Sequence, residues 1–93
     1  MSHETQFELG WLVATPGALA ALEAANQQVI EFIQRHLSGD WGEVSAEDAR
    51  ENEFSVINGF RILSAYKLRS GVKIWIITEA DTSATTILLP EEY

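Results

Sequence analysis

The chain has 93 residues, enough for a single domain, taken as 1–93, and too few for two. Fourteen carboxylates against six Lys and Arg give a formal charge of −8, which disfavours a phosphate backbone or an anionic membrane surface as a partner. The absence of cysteine excludes disulfides, thiol nucleophiles and thiolate metal sites together.

The opening Met1-Ser2-His3-Glu4-Thr5-Gln6 has neither the basic nor the apolar region of a signal peptide, and no apolar run reaches the length of a membrane span. A cytoplasmic protein is the expectation. Residues 7–14 place Phe7, Leu9 and Trp11 on one parity, which reads as a short strand or extended segment kinked at Gly10. Thr15-Pro16 then starts a helix: the Thr hydroxyl can accept from a free backbone N–H, and Pro is tolerated in the first turn.

Helical periodicity runs from about Pro16 to Leu37, with Leu19, Leu22, Ala25, Val29, Ile33 and Leu37 forming one stripe. Ala24-Ala25-Asn26 interrupts it, and Asn26 can cap a second helix, so the stretch is one long helix or two short ones. Gly39 ends it. After a loop at Asp40–Val44, Ser45 starts another helix, with Glu47 and Asp48 suiting the positive end of its dipole and Asp48 placed like the acid of a capping box. That helix runs to about Ile57 and stops at Asn58-Gly59.

From Phe60 the pattern becomes that of strands. Arg61–Leu68 and Val72–Glu79 flank Arg69-Ser70-Gly71, a three-residue hairpin loop with Gly in the place that needs positive φ. This loop aligns Leu68 with Val72, Tyr66 with Ile74, Leu63 with Ile77 and Arg61 with Glu79. A two-residue turn would instead set Tyr66 against Trp75. A further turn at 80–84 leads to a third strand, Thr85–Leu89, halted by Pro90. The consecutive Ile74-Trp75-Ile76-Ile77 places the second of these strands in the middle of the sheet, with Trp75 in the core. The expected fold is therefore α+β: N-terminal helices packed on a C-terminal three-stranded antiparallel β-meander, to which the 7–14 segment is an optional fourth strand.

No pattern compels an activity. His3 and His36 form no evident pair, and His36, in the last turn of a helix, suits the dipole as a cation. The acids of 47–53 lack the central glycine of a calcium loop, no HExxH is present, and Gly39-Asp40-Trp41-Gly42 offers a carboxylate where an anion cradle needs free amides. No cofactor is implied. Asp40, Glu79 and Asp81 would serve as paired acids if the 39–44 loop packed near the 80–84 turn. The plainer reading pairs Glu79 with Arg61 and gives Asp81 to its turn. Trp11 and Trp41 are candidate interface anchors, with core burial as the plainer role.

The stretches Lys73–Asp81 and Thr85–Tyr93, with Ala14–Ala18, Ser38–Gly42 and Ala46–Asp48, resemble a family of small uncharacterised bacterial proteins encoded on plasmids and other mobile elements. The resemblance implies a mobile-element accessory protein. It draws attention to Asp40, Trp41, Asp48, Glu79, Asp81, Thr85 and Tyr93 as a shared binding surface. Three functions follow as expectations: a non-enzymatic module that binds a protein partner or a second copy, an acidic DNA mimic that blocks a host defence protein, or a small enzyme or ligand binder using Asp40, Glu79 and Asp81.

Overall fold

The computed structural model describes residues 6–93; His3 lies outside them. In chain order the elements are β1 (Trp11–Ala14), α1 (Pro16–Ala25), α2 (Val29–Leu37), α3 (Ala46–Asn58), β2 (Ile62–Lys67), β3 (Lys73–Thr78) and β4 (Ala84–Leu88), closed by a 3₁₀ turn at Pro90–Glu92. The chain is α+β, and its sheet is mixed: the order is β1-β4-β3-β2, with β2, β3 and β4 antiparallel and β1 parallel to β4. No described helix is long and apolar enough to cross a membrane.

The helical stretch breaks in two. Thr15 caps α1 by accepting from the Ala18 amide, but Asn26 ends α1 in the left-handed conformation (φ 55°) rather than capping α2. An Asn side chain tolerates that conformation, whose backbone N–H here returns to carbonyls of the last turn. Ser45 starts α3 as expected, accepting from the Asp48 amide, and Gly59 ends it.

The hairpin adopts the three-residue register. Leu68 N donates to Val72 O at 2.8 Å, Tyr66 faces Ile74, Leu63 faces Ile77, and Gly71 has φ 95°. Because residues paired across strands share a face, these registers sort the sheet without ambiguity. Ile62, Ser64, Tyr66, Ile74, Ile76, Thr78, Thr85 and Ile87 point one way, towards α1 and α2, where they meet Ala18, Leu22, Ala25, Phe32 and Ile33 in the core.

Trp75 is on the other face. It is half-buried beneath the Tyr93 ring, 5.7 Å away and edge-on, and does not join the helix-facing core. The run Ile74–Ile77 made all four residues look equivalent; the pleat divides them between two faces covered by different things.

The two edges of the sheet are treated differently. Along the outer side of β2, the Asn52 side chain of α3 donates to Leu63 O (2.7 Å) and accepts from Leu63 N (3.2 Å), as a neighbouring strand would. Two residues on, Ala65 N donates to Trp41 O and Glu43 N donates to Ala65 O, forming a parallel bridge through Gly42. Gly42 has φ 76°, and a Cβ there would run into the Ala65 carbonyl and the Tyr66 ring. A Gly42→Ala substitution is therefore expected to lower stability by roughly 3 kcal/mol in urea unfolding, and to expose the Ala65 amide to faster hydrogen exchange.

Candidate functional site

A buried polar chain runs through the helix-facing side of the sheet. His36 is fully buried, with Nδ1 2.6 Å from Ser64 Oγ and Nε2 2.9 Å from Thr78 Oγ1. Thr78 Oγ1 is 2.7 Å from Thr85 Oγ1, and the Thr85 hydroxyl donates to the Leu9 carbonyl at 2.8 Å.

A hydroxyl has one proton to give, so that terminal carbonyl decides every bond in the chain. Thr85 gives its proton to Leu9 and must accept from Thr78. Thr78 must then accept from His36. The proton of the neutral ring is thereby on Nε2, and Nδ1 accepts from Ser64.

The sequence-based reading of His36 as a cation at the helix end is corrected here. Burial pushes the imidazole down to about 4, and it is neutral at pH 7. Phe7, with its ring centroid 5.1 Å from the imidazole at 89°, and Trp41, at 6.0 Å and 79°, close over it.

Of the seven residues singled out from the sequence, two are withdrawn from the surface. Trp41 is buried, its indole Nε1 donating to Glu53 Oε2 at 2.9 Å and its ring stacked near Phe7. Thr85 is buried in the polar chain. Neither presents a surface. Asp40 accepts from Arg35 Nε (2.7 Å) and Nη2 (3.4 Å) beside the C-terminus of α2, and this guanidinium holds its carboxyl below the usual range. Arg35 also stacks over the Tyr66 ring, whose buried phenol is pushed up to about 12 and donates to the Asp40 carbonyl.

Asp48 is exposed at the start of α3. Asp81 accepts from Ser83 N at 3.0 Å, shaping its turn as expected. Glu79 is exposed and, among the described residues, makes no ion pair; Arg61 turns instead to the Tyr93 hydroxyl at 2.6 Å and lies over that ring. Register alone aligned Arg61 with Glu79, but the phenol offers both an acceptor and an aromatic face.

Asp40 and Asp81 thus have separate partners, and the Glu79 side chain has none among the described residues. Asp40 lines a shallow depression with Glu31, Gln34, Arg35 and Ser38, and Asp48 lines another with Glu51, Asn52, Ser55, Arg61 and Leu63; Glu79 and Asp81 line neither. Among the described residues no group of three His, Cys, Asp or Glu side chains could hold a metal ion.

Among the described residues, the margin left without a neighbour is the outer edge of β1. Trp11 N donates to Ser83 O and Thr15 N donates to Ile87 O, so alternate residues of the strand face β4. The N–H and C=O of Leu12 and Ala14 accordingly point away from the sheet. Trp11 is 81% exposed, Leu12 50% and Val13 48%. Sequence reasoning had named Trp11 but could not place it, since its parity with Phe7 and Leu9 ends at Gly10 (φ 67°).

Compared with protein-family models, curated proteins and solved structures, the chain finds no match in any of the three.

The buried imidazole sets a pH dependence. Its folded pKa lies below the unfolded value of 6.5, so the unfolded chain binds the extra proton first as pH falls. Stability is full above about 6.5 and declines towards 4, a span equivalent to roughly 3 kcal/mol. The lowered carboxyls of Asp40, Asp81 and Glu92 act further down, as pH falls through the acid range. Urea midpoints measured from pH 7 to 5 are expected to fall for the natural chain. In His36→Gln, less stable throughout, they are expected to stay nearly level.

Proposed function

We propose that this protein is a non-enzymatic interaction module that works through the outer edge of β1, to which an extended apolar segment of a partner adds as a further strand. The observation that supports this is the contrast between the edges. The β2 edge is closed by Asn52 and the Trp41–Glu43 segment, whereas β1 keeps backbone donors and acceptors turned outward beside three exposed apolar side chains. Open edges invite pairing and are ordinarily blunted by charge, proline or cover. β1 has none of these devices within Trp11–Ala14. Main-chain bonds would give such a contact its affinity, and alternate side chains its specificity.

Asp40, Glu79 and Asp81 give little support to an acid–base reading, because one is held by an arginine, one lies in a turn and one has no side-chain partner among the described residues. A strict imitation of phosphate spacing is opposed by cations among the acids, with Arg35 on Asp40 and Lys73 on Glu43. Within this proposal the module is an accessory factor of bacterial mobile DNA acting in the cytoplasm, a reading supported by the sequence resemblance alone.

Displayed extended peptides selected on the natural chain and counter-screened on variants test the reading. Binders are expected to lose at least tenfold in affinity for Trp11→Lys and to keep it for Phe54→Lys, which alters a separate exposed apolar position on α3. Binders indifferent to Trp11→Lys, or no binders from a diverse library, would refute it.

A further inference from the structure

We infer that the β1 edge pairs antiparallel with β1 of a second copy of this chain, about a twofold axis, joining two four-stranded sheets into one of eight strands. This rests on the reading of β1 as the working edge and names its occupant.

A twofold contact sets each surface against itself, so any charge near the axis meets its own like. On a chain of net charge −8 most faces are therefore self-repelling. The stretch from Leu9 to Leu22 is the exception, the longest in the sequence without a charged residue, and β1 lies inside it.

The backbone geometry is self-complementary as well. Leu12 and Ala14 carry the outward N–H and C=O groups. In an antiparallel pair, opposing residues must both be bonded or both unbonded across the seam. Placing Leu12 on the axis meets this condition: Leu12 exchanges both bonds with its own copy, and Trp11 stands opposite Val13 on each side. Those flanking pairs are aromatic against β-branched, a favourable cross-strand match.

The closed β2 edge decides the size of the assembly. With one pairing edge left among the described residues, association stops at two copies and does not extend into a ribbon. The seam is short. Its exposed side chains cover on the order of 400 Å² per copy, about half of the ~800 Å² per partner of a standard interface, so the dimer is a weak one with a dissociation constant in the micromolar to millimolar range.

Sedimentation equilibrium of the 93-residue chain across that concentration range is the test, at 0.15 M salt, with far-ultraviolet circular dichroism to confirm folding. The natural chain is expected to pass from monomer to dimer and no further. Val13→Lys, at a half-exposed position that places two ammonium groups beside the seam, is expected to weaken association at least tenfold. Leu12→Pro removes the outward donor while sparing every bond to β4 and is expected to do the same. A chain that stays monomeric throughout, that assembles beyond two, or whose folded Val13→Lys variant dimerises unchanged overturns the inference. Should a monomeric chain still select peptides that need Trp11, the self-pairing fails while the interaction-module reading stands.

Discussion

One backbone carbonyl, that of Leu9, orders the interior of this protein. By accepting from Thr85 it fixes the direction of four successive hydrogen bonds and the tautomer of a buried histidine. The chain so formed ties α2 to β2, β3 and β4 and reaches the segment that leads into β1. Polar groups in a dry interior are costly when unpaired and specifying when fully satisfied; here no buried side-chain nitrogen or oxygen among the described residues lacks a partner. Any sliding of α2 along the sheet would separate His36 from two hydroxyls at once. The apolar contacts of Phe32 and Ile33 alone would tolerate such a shift more readily.

Around this centre the sheet is finished unevenly. A side-chain amide and a bridged loop complete one margin, and both depend on residues that a pattern of hydrophobicity does not mark: Asn52 in a helix interior and Gly42 in a loop. The opposite margin ends in Trp-Leu-Val-Ala with its backbone polarity facing outward. The face of the sheet turned away from α1 and α2 is divided in a similar way. Tyr93, held by the Arg61 guanidinium and lying edge-on to Trp75, shelters the β2–β3 half, while Trp11 and Val13 stand open at the β1 border. At that border exposed apolar side chains and outward-facing backbone coincide, whereas the exposed Phe54, Ile57 and Phe60 belong to α3 and the residues that follow it.

Much of this architecture was legible in local chemistry. Ser45 and Thr15 announced their helices because a hydroxyl before an apolar period has a specific backbone partner, and Arg69-Ser70-Gly71 set the hairpin register because a loop of that length with terminal glycine has few geometries. The placement of β1 was not legible, since parallel pairing with β4 joins residues remote in sequence and leaves no local trace. Nor was the polar chain read, although its signature was present. Ser64, Thr78 and Thr85 occupy strand positions of core parity, and His36 falls on the apolar stripe of α2 beside Phe32 and Ile33. Four polar residues at inward positions signal one another when taken together, and each looks incidental alone. Part of the surface expected from Asp40 to Tyr93 was lost for a related reason: Trp41 and Thr85 are taken into the interior and Asp81 into its turn.

The parallel seam between β1 and β4 also bears on how the molecule assembles itself. The β2–β3–β4 hairpins can zip from neighbouring segments, but Trp11 must find Ala84 across nearly the whole chain. Loop-closure entropy makes that encounter late in folding. Until it happens β4 is itself a bare margin, rich in Thr, Ile and Leu, and the nascent chain exposes a longer sticky strand than the finished one. Docking β1 therefore exchanges a five-residue margin for a four-residue one, and the rate of that last step governs how long newly made molecules remain prone to aggregation.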